Sequence, residues 1–141
     1  MDATGGRAVR SFPMFALATA LALGAAARAH AADDIDTALS SAGKVWYERY
    51  CTQCHGPGGA PGTAVYSATK APVDLREYVK RHGGKFPAAD WLAVISDSRP
   101  SSVHTAVWEG IKREQSGVAQ EPAARGVVGS IARYIRSIQR K

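Results

Sequence analysis

The sequence predicts an all-α fold. The clearest sign is a helix over residues 123–139, in which apolar side chains recur at the spacing of one helix face. No stretch alternates between apolar and polar residues as a half-buried strand would, and the chain has no internal repeat. The apolar stripe of this last helix consists of Val127, Val128, Ile131, Tyr134, Ile135 and Ile138.

The first 31 residues have the pattern of a secretory signal. Arg7 and Arg10 precede an apolar run over residues 12–27, and an Ala-His-Ala sequence ending at Ala31 has the small-x-small form of a cleavage site. The apolar run has 16 residues, fewer than the roughly 20 that cross a bilayer as a helix. We therefore expect a cleaved signal over 1–31 and export to the periplasm, with a retained membrane anchor as the alternative.

Removal of this signal would leave 110 of the 141 residues, the size of one small domain. We expect an N-terminal extension over 32–41 and the folded domain over 42–141. The loss of three arginines and one aspartate would lower the net charge from +6 to +4. Such a mild excess suits docking to redox proteins with an acidic surface and does not indicate a nucleic-acid-binding protein. Membrane contact is expected only through a redox partner or an uncleaved signal.

The first helix of the domain is expected over residues 42–51. Ser40 or Ser41 would cap its amino terminus, because a serine hydroxyl can accept a hydrogen bond from the first free N–H groups of a helix. Glycine and proline crowd the segment 56–72, which is therefore expected to be a loop.

A second short helix is expected over residues 75–81. Asp74 is its candidate cap, and the His-Gly-Gly sequence at 82–84 would end it. The segments that follow are a helix over 87–96, a turn over 97–102 and a stretch of undetermined geometry over 103–112.

The most specific motif is the sequence Cys-Thr-Gln-Cys-His at residues 51–55, which holds the only two cysteines of the chain. The C-x-x-C-H spacing is that of covalent haem attachment. Two thiols at this spacing can each form a thioether with a haem vinyl group, and the adjacent histidine can bind the iron. We expect one haem c held by Cys51 and Cys54, with His55 as the first axial ligand.

Two other uses of the cysteines are weighed against haem attachment. An exported protein can form a disulfide, but a pair separated by two residues is usually redox-active, and nothing here resembles a thioredoxin-like βαβ unit. A zinc site would combine Cys51 and Cys54 with two histidines, and the spacing to His82 and His104 is long for a structural zinc finger.

With this motif, the chain resembles class I c-type cytochromes over most of residues 42–139. Gly43 and Tyr47 lie eight and four residues before Cys51, where the family commonly has a glycine and an aromatic residue. Residues 131–135 look like the family's apolar-x-x-aromatic-apolar contact in the last helix. The resemblance implies a small cytochrome c fold, in which the first and last helices cross and loops wrap one covalent haem. A glycine of one helix would admit the aromatic side chain of the other.

A narrower resemblance links the sequences at 82–87 and 134–139 to a subgroup of bacterial cytochromes. That subgroup tends to have a Met-Pro-x-Trp-Gly segment whose methionine is the sixth iron ligand. The only methionines of this chain are Met1 and Met14, both in the predicted signal. The resemblance therefore implies that another residue has replaced the usual methionine.

His104 is the leading candidate for the sixth ligand. When Trp108 is set against the subgroup's tryptophan, His104 falls within one residue of the methionine position. Bis-histidine ligation by His55 and His104 is therefore expected. The alternatives are His82, a lysine, or an open five-coordinate iron.

Two functions remain open at the level of the sequence. The first is a periplasmic one-electron carrier that is not itself an enzyme. The alternative is a haem subunit or sensor with an exchangeable sixth ligand, which would bind a small molecule or act within a larger oxidoreductase complex. An open sixth position would distinguish the second from the first.

Further residues are expected to support the haem. Trp46, Trp91 and Trp108 are expected to pack in the core around it. The backbone carbonyl of Pro72 or of Pro57 is expected to accept a hydrogen bond from the second ring nitrogen of the proximal histidine, which would fix the ring.

Overall fold

The computed structural model describes residues 14–61, 72–96, 104–117 and 119–140. Within these ranges the chain forms helices and turns and no strand, which confirms the all-α prediction. The α-helices of the described residues are α1 (Met14–Tyr50), α2 (Thr52–His55), α3 (Tyr78–Arg81), α4 (Ala88–Ile95), α5 (Thr105–Glu114) and α6 (Gln120–Ser137). Two short 3-10 turns cover Pro57–Gly59 and Leu75–Glu77.

Helix α1 begins well before the predicted start at residue 42 and includes the whole segment expected as an extension. The chain divides into two compact units, Met1–Asp34 and Ile35–Lys141. The predicted serine caps are wrong because the helix continues through them. The Ser41 hydroxyl donates instead to the carbonyl of Thr37, one turn back, at 3.0 Å. Among the helices of the described residues, none is both long and apolar enough to cross a membrane.

The core of the second unit is built where α6 packs against α4 and α5. The predicted stripe of α6 is confirmed: four of its six members are buried, and Val127 and Ile138 pack against them in part. Removing this apolar surface from water is the main favourable contribution to folding. The largest fully buried side chains are Tyr47, Ile111, Ile131, Ile135 and Val128.

Helices α1 and α6 approach closely at Gly43. A Cβ atom placed there would lie 1.9 Å from the carbonyl oxygen of Ser130 and 2.8 Å from the backbone nitrogen of Ile131. The glycine therefore makes room for the backbone of the other helix. The resemblance had implied that it would make room for the aromatic side chain of that helix. The aromatic residue Tyr134 packs one turn further along α1 against Tyr47, with ring centroids 5.2 Å apart.

The middle of the chain follows the predicted order. The Asp74 side chain accepts a hydrogen bond from the Arg76 N–H at 2.9 Å, which confirms the cap, although the first turn it caps is a 3-10 turn. Gly83 and Gly84 end α3 with φ angles of 68° and 85°, a region that favours glycine. Helix α4 agrees with the predicted helix over 87–96, and α5 begins within the stretch of undetermined geometry and continues two residues beyond it, to Glu114. The predicted turn over 97–102 lies outside the described residues.

Candidate functional site

The cysteine–histidine motif lies where α1 turns into α2. The Cys51 N–H still donates to the Tyr47 carbonyl at 2.8 Å, and the His55 N–H donates to the Cys51 carbonyl at 2.8 Å. Residues three and four apart in a helical turn lie on one face. Cys51, Cys54 and His55 are therefore presented to the same side of the chain.

Both cysteines are free thiols, so the motif is not a disulfide. Cys51 is buried, and this burial, together with the nearby Cys54, raises the pKa of the Cys51 thiol to about 12. The thiolate is the form of cysteine that binds zinc, and burial opposes its formation. Within the described residues, no three His, Cys, Asp or Glu side chains converge to hold a metal ion. The zinc alternative therefore finds no support in these side chains.

The imidazole of His55 is oriented by the backbone carbonyl of Val73, which lies 3.1 Å from Nδ1. The expected acceptors, Pro72 and Pro57, are wrong: the carbonyl that meets the ring belongs to the residue after Pro72, just before the turn capped by Asp74. A carbonyl only accepts, so Nδ1 carries the proton and Nε2 is left as the acceptor. The pKa of His55 is lowered, because burial lowers it more than the hydrogen bond to Val73 raises it. The ring is thus neutral and held in one orientation, the state in which an imidazole can bind a metal.

His104 lies at the amino terminus of α5, far from His55 in sequence but beside it in space. The two imidazole rings are almost parallel, with an interplanar angle of 9° and centroids 6.4 Å apart. The structure therefore brings together the two histidines that the sequence selected as partners.

The separation of the two rings can be compared with that of two ligands on one metal ion. A metal–imidazole bond is about 2.0 Å long, and ring bonds of about 1.33 Å place each ring atom about 1.1 Å from the ring centroid. Two imidazoles on opposite sides of one ion would then have centroids about 6.2 Å apart. The observed 6.4 Å agrees with this value. The separation of the two rings is therefore compatible with one shared metal ion.

His82, the alternative ligand, has a different environment. It is exposed at the end of α3, where its Nδ1 lies 2.8 Å from the carbonyl of Tyr78, one turn back. Its ring also rests against the Tyr78 ring, with centroids 4.3 Å apart. These contacts are those of a histidine that closes a helix end.

Sequence reasoning missed the hydrogen bond made by the Tyr47 hydroxyl. This group donates to the carbonyl of Gly56, the residue directly after His55, at 2.6 Å. The resemblance implied only a packing role for Tyr47, as the aromatic residue that the family commonly has four positions before the motif. The sequence did carry one signal for this bond: the position holds a tyrosine, whose hydroxyl can donate a hydrogen bond, and not a phenylalanine.

The three tryptophans lie in or against the core, as expected. Trp91 and Trp108 are buried, and Trp46 is partly buried against the same cluster. Trp91 packs with two other aromatic side chains, Tyr78 and Phe86. Their proposed contact with a haem stays a prediction.

A concave surface of about 300 Å³ lies between α4 and α6, and it includes none of the motif residues. Trp91 and Val128 contribute to its apolar wall, and arginines contribute to its rim. Two of these, Arg133 and Arg136, each lie 3.1 Å from a carboxylate oxygen of Asp36. The single carboxylate of Asp36 therefore offsets only part of the positive charge of the three arginines that line this cleft.

Comparison with known proteins identifies no relative: no protein-family model, no curated protein and no solved structure matches this chain. The function of the site is therefore inferred from its own residues and their arrangement.

Proposed function

We propose that the chain is a class I c-type cytochrome that carries single electrons between redox proteins of the periplasm. Cys51 and Cys54 would hold one haem c through thioethers, and His55 and His104 would be the axial ligands. The observation that carries the proposal is the parallel pair of imidazoles, 6.4 Å apart. The bound haem would supply a reversible one-electron Fe(III)/Fe(II) couple.

The covalent part of the proposal rests on the motif and its local geometry. The two thiols and His55 come from one turn of backbone, so that a single planar group could contact all three. The free state of both thiols is the one that thioether formation requires. The oriented and neutral imidazole of His55 is the form that binds iron.

The role of carrier, and not enzyme, rests on His104. A second protein ligand would leave no position at the iron for a substrate, so the site would transfer electrons without making or breaking bonds. A histidine in place of the usual methionine should also lower the reduction potential, because methionine ligation raises it.

Location and partner are part of the same proposal. The signal pattern over residues 1–31 would take the chain to the periplasm, where covalent haem attachment takes place. Its net positive charge of +6, or +4 without that segment, favours partners with an acidic surface.

The test is a set of absorption spectra from protein made in a bacterial host that attaches c-type haem. We expect covalent haem in the wild type, low-spin spectra in both oxidation states and no rapid binding of CO. His104→Ala should give a high-spin form that binds CO. His82→Ala is the matched control, because it removes an exposed histidine, and it should keep the wild-type spectrum.

Two results would contradict parts of the proposal. A low-spin His104→Ala protein would reject His104 as the ligand, and a high-spin His82→Ala protein would point to His82. Rapid CO binding by the wild type would instead support the sensor or enzyme subunit with an exchangeable sixth ligand. Absence of covalent haem under these conditions would reject the cytochrome itself.

A further inference from the structure

We propose that Tyr47 is a positioning residue for His55, and that it acts through its hydroxyl group as well as through its ring. This inference rests on the proposed function, since His55 is taken as a haem ligand. The hydrogen bonds and ring contacts described for Tyr47 are made with groups other than the His55 ring. Tyr47 acts on the backbone that carries that ring.

Tyr47 binds both ends of the motif turn. At the near end its backbone carbonyl accepts from the Cys51 N–H at 2.8 Å and from the Thr52 hydroxyl at 3.3 Å. At the far end its side-chain hydroxyl donates to the Gly56 carbonyl at 2.6 Å. One residue of α1 thus fixes the backbone on both sides of residues 51–55.

The far end needs this support because of its backbone conformation. Gly56 has φ 70° and ψ 166°, a combination accessible essentially to glycine alone. Gly56 is also buried, and a buried carbonyl without a partner is costly. The Tyr47 hydroxyl meets that need and fixes the direction of the Gly56–Pro57 peptide, the second peptide after His55.

The ring of Tyr47 has no freedom to follow a displaced turn. Tyr47 is fully buried, and its ring packs against Tyr134 of α6. Gly59, four residues after His55, also lies close to the end of α6, since a Cβ atom there would be 2.8 Å from the Ile138 side chain. The crossing of α1 and α6 therefore sets the position of the hydroxyl, and the hydroxyl sets the turn that carries His55.

The test compares Tyr47→Phe with Tyr134→Phe in the haem-loaded protein. Both variants remove the hydroxyl of a buried tyrosine and keep the ring, but only the first removes the bond to Gly56. The readouts are the electron paramagnetic resonance g values of the oxidised protein, which respond to the relative orientation of two axial imidazoles, and the reduction potential. Amide hydrogen exchange over residues 51–59 is the third readout.

We expect Tyr47→Phe to shift the g values and the potential, and to quicken amide exchange in this turn on the order of tenfold. Tyr134→Phe should leave all three unchanged. Gly56→Ala is a second variant, because a Cβ at φ 70° displaces the same peptide without touching Tyr47, and it should shift the g values too. Wild-type g values and exchange in Tyr47→Phe would overturn the inference, as would equal shifts in Tyr134→Phe.

The inference and the proposed function can fail separately. A wild-type protein without covalent haem would reject the function, while the exchange comparison would still measure the hold of Tyr47 on the turn. A haem-loaded protein in which Tyr47→Phe behaves as wild type would reject the positioning role alone.

Discussion

Gly43 and Ser130 place the first and last helices in direct backbone contact, since a Cβ atom on Gly43 would lie 1.9 Å from the Ser130 carbonyl oxygen. The contact fixes how far α1 can lie from α6, and therefore where Tyr47 meets Tyr134. Through the Tyr47 hydroxyl the same contact reaches the residue after His55. The helix crossing and the candidate ligand are thus parts of one packed unit.

Gly43→Ala should destabilise the protein by about 3 kcal/mol or more, because the methyl group can be accommodated only by moving the two helices apart. The measurement is urea-induced unfolding followed by circular dichroism. We also expect the variant to perturb the environment of His55, since the tyrosine pair next to the crossing would move with α1.

The matched control for this prediction is Gly126→Ala in α6. Nothing lies within 4 Å of a Cβ atom at Gly126, and the residue is exposed. Alanine is favoured over glycine inside a helix, so this variant should stabilise the protein by roughly 0.5–1 kcal/mol. Similar effects of the two variants would show that the crossing is not as close as described.

Asp74→Asn should cost about 1–2 kcal/mol at neutral pH, and the cost should disappear in acid. Hydrogen bonds from the Arg76 side chain lower the pKa of Asp74 to about 2, from an ordinary value of 3.8. A lowered pKa means that the stabilisation is fully present above pH 3.8 and is lost as the pH falls towards 2. Unfolding free energies of both proteins, measured across this range, check the prediction.

Glu121→Gln is the control for the aspartate. Glu121 pairs with Arg125 one turn along an exposed face of α6, and such a pair contributes little. We therefore expect no clear change in the free energy of unfolding at any pH in this range. A larger effect for Glu121→Gln than for Asp74→Asn would contradict the stabilising role given to the partly buried Asp74–Arg76 pair.

The local elements could be predicted from the sequence because their signals are local. Asp74 before a short helix, paired glycines after it and the stripe of α6 each depend on neighbouring residues, and each is found in the structure. The start of α1 could not be placed, because Ser40 and Ser41 are compatible with both a cap and a helix interior. Their surroundings decide between the two, and those surroundings are distant in sequence: Ser40 donates to Ser137.

The candidate site was predictable to a different depth at each residue. Cys51, Cys54 and His55 are named by their spacing alone, and His104 was selected only by analogy with a methionine position. The acceptor for His55 was missed by one residue, because the path of a glycine- and proline-rich loop is not encoded in a local pattern. The Tyr47 hydroxyl was missed because its partner depends on how the turn folds back onto α1.

Glu114→Ala should destabilise the protein by about 1–2 kcal/mol, because its carboxylate accepts hydrogen bonds from both Arg49 and Tyr50. These bonds join the end of α1 to the end of α5. His104 lies at the other end of α5, just before its first residue. Glu109→Ala is the control, since Glu109 pairs only with Lys112 of its own helix among the contacts described. We expect the control to change the unfolding free energy by less than about 0.5 kcal/mol, as measured in urea.

His104→Met should raise the reduction potential of the haem-loaded protein, because it would restore the methionine ligation that the resemblance leads one to expect. The rise should be a clear fraction of the range of roughly 0.8 V over which axial ligands set the reduction potential of haem. Spectroelectrochemical titration gives the potential, and a sulfur-to-iron absorption band of the oxidised protein would identify the new ligand.

His82→Met is the control for this last exchange. The imidazole of His82 is engaged by Tyr78 at the end of α3, so its replacement should leave the potential and the spectrum unchanged. A higher potential in His82→Met together with no change in His104→Met would assign the sixth ligand to His82. The parallel geometry of His55 and His104 predicts the opposite result.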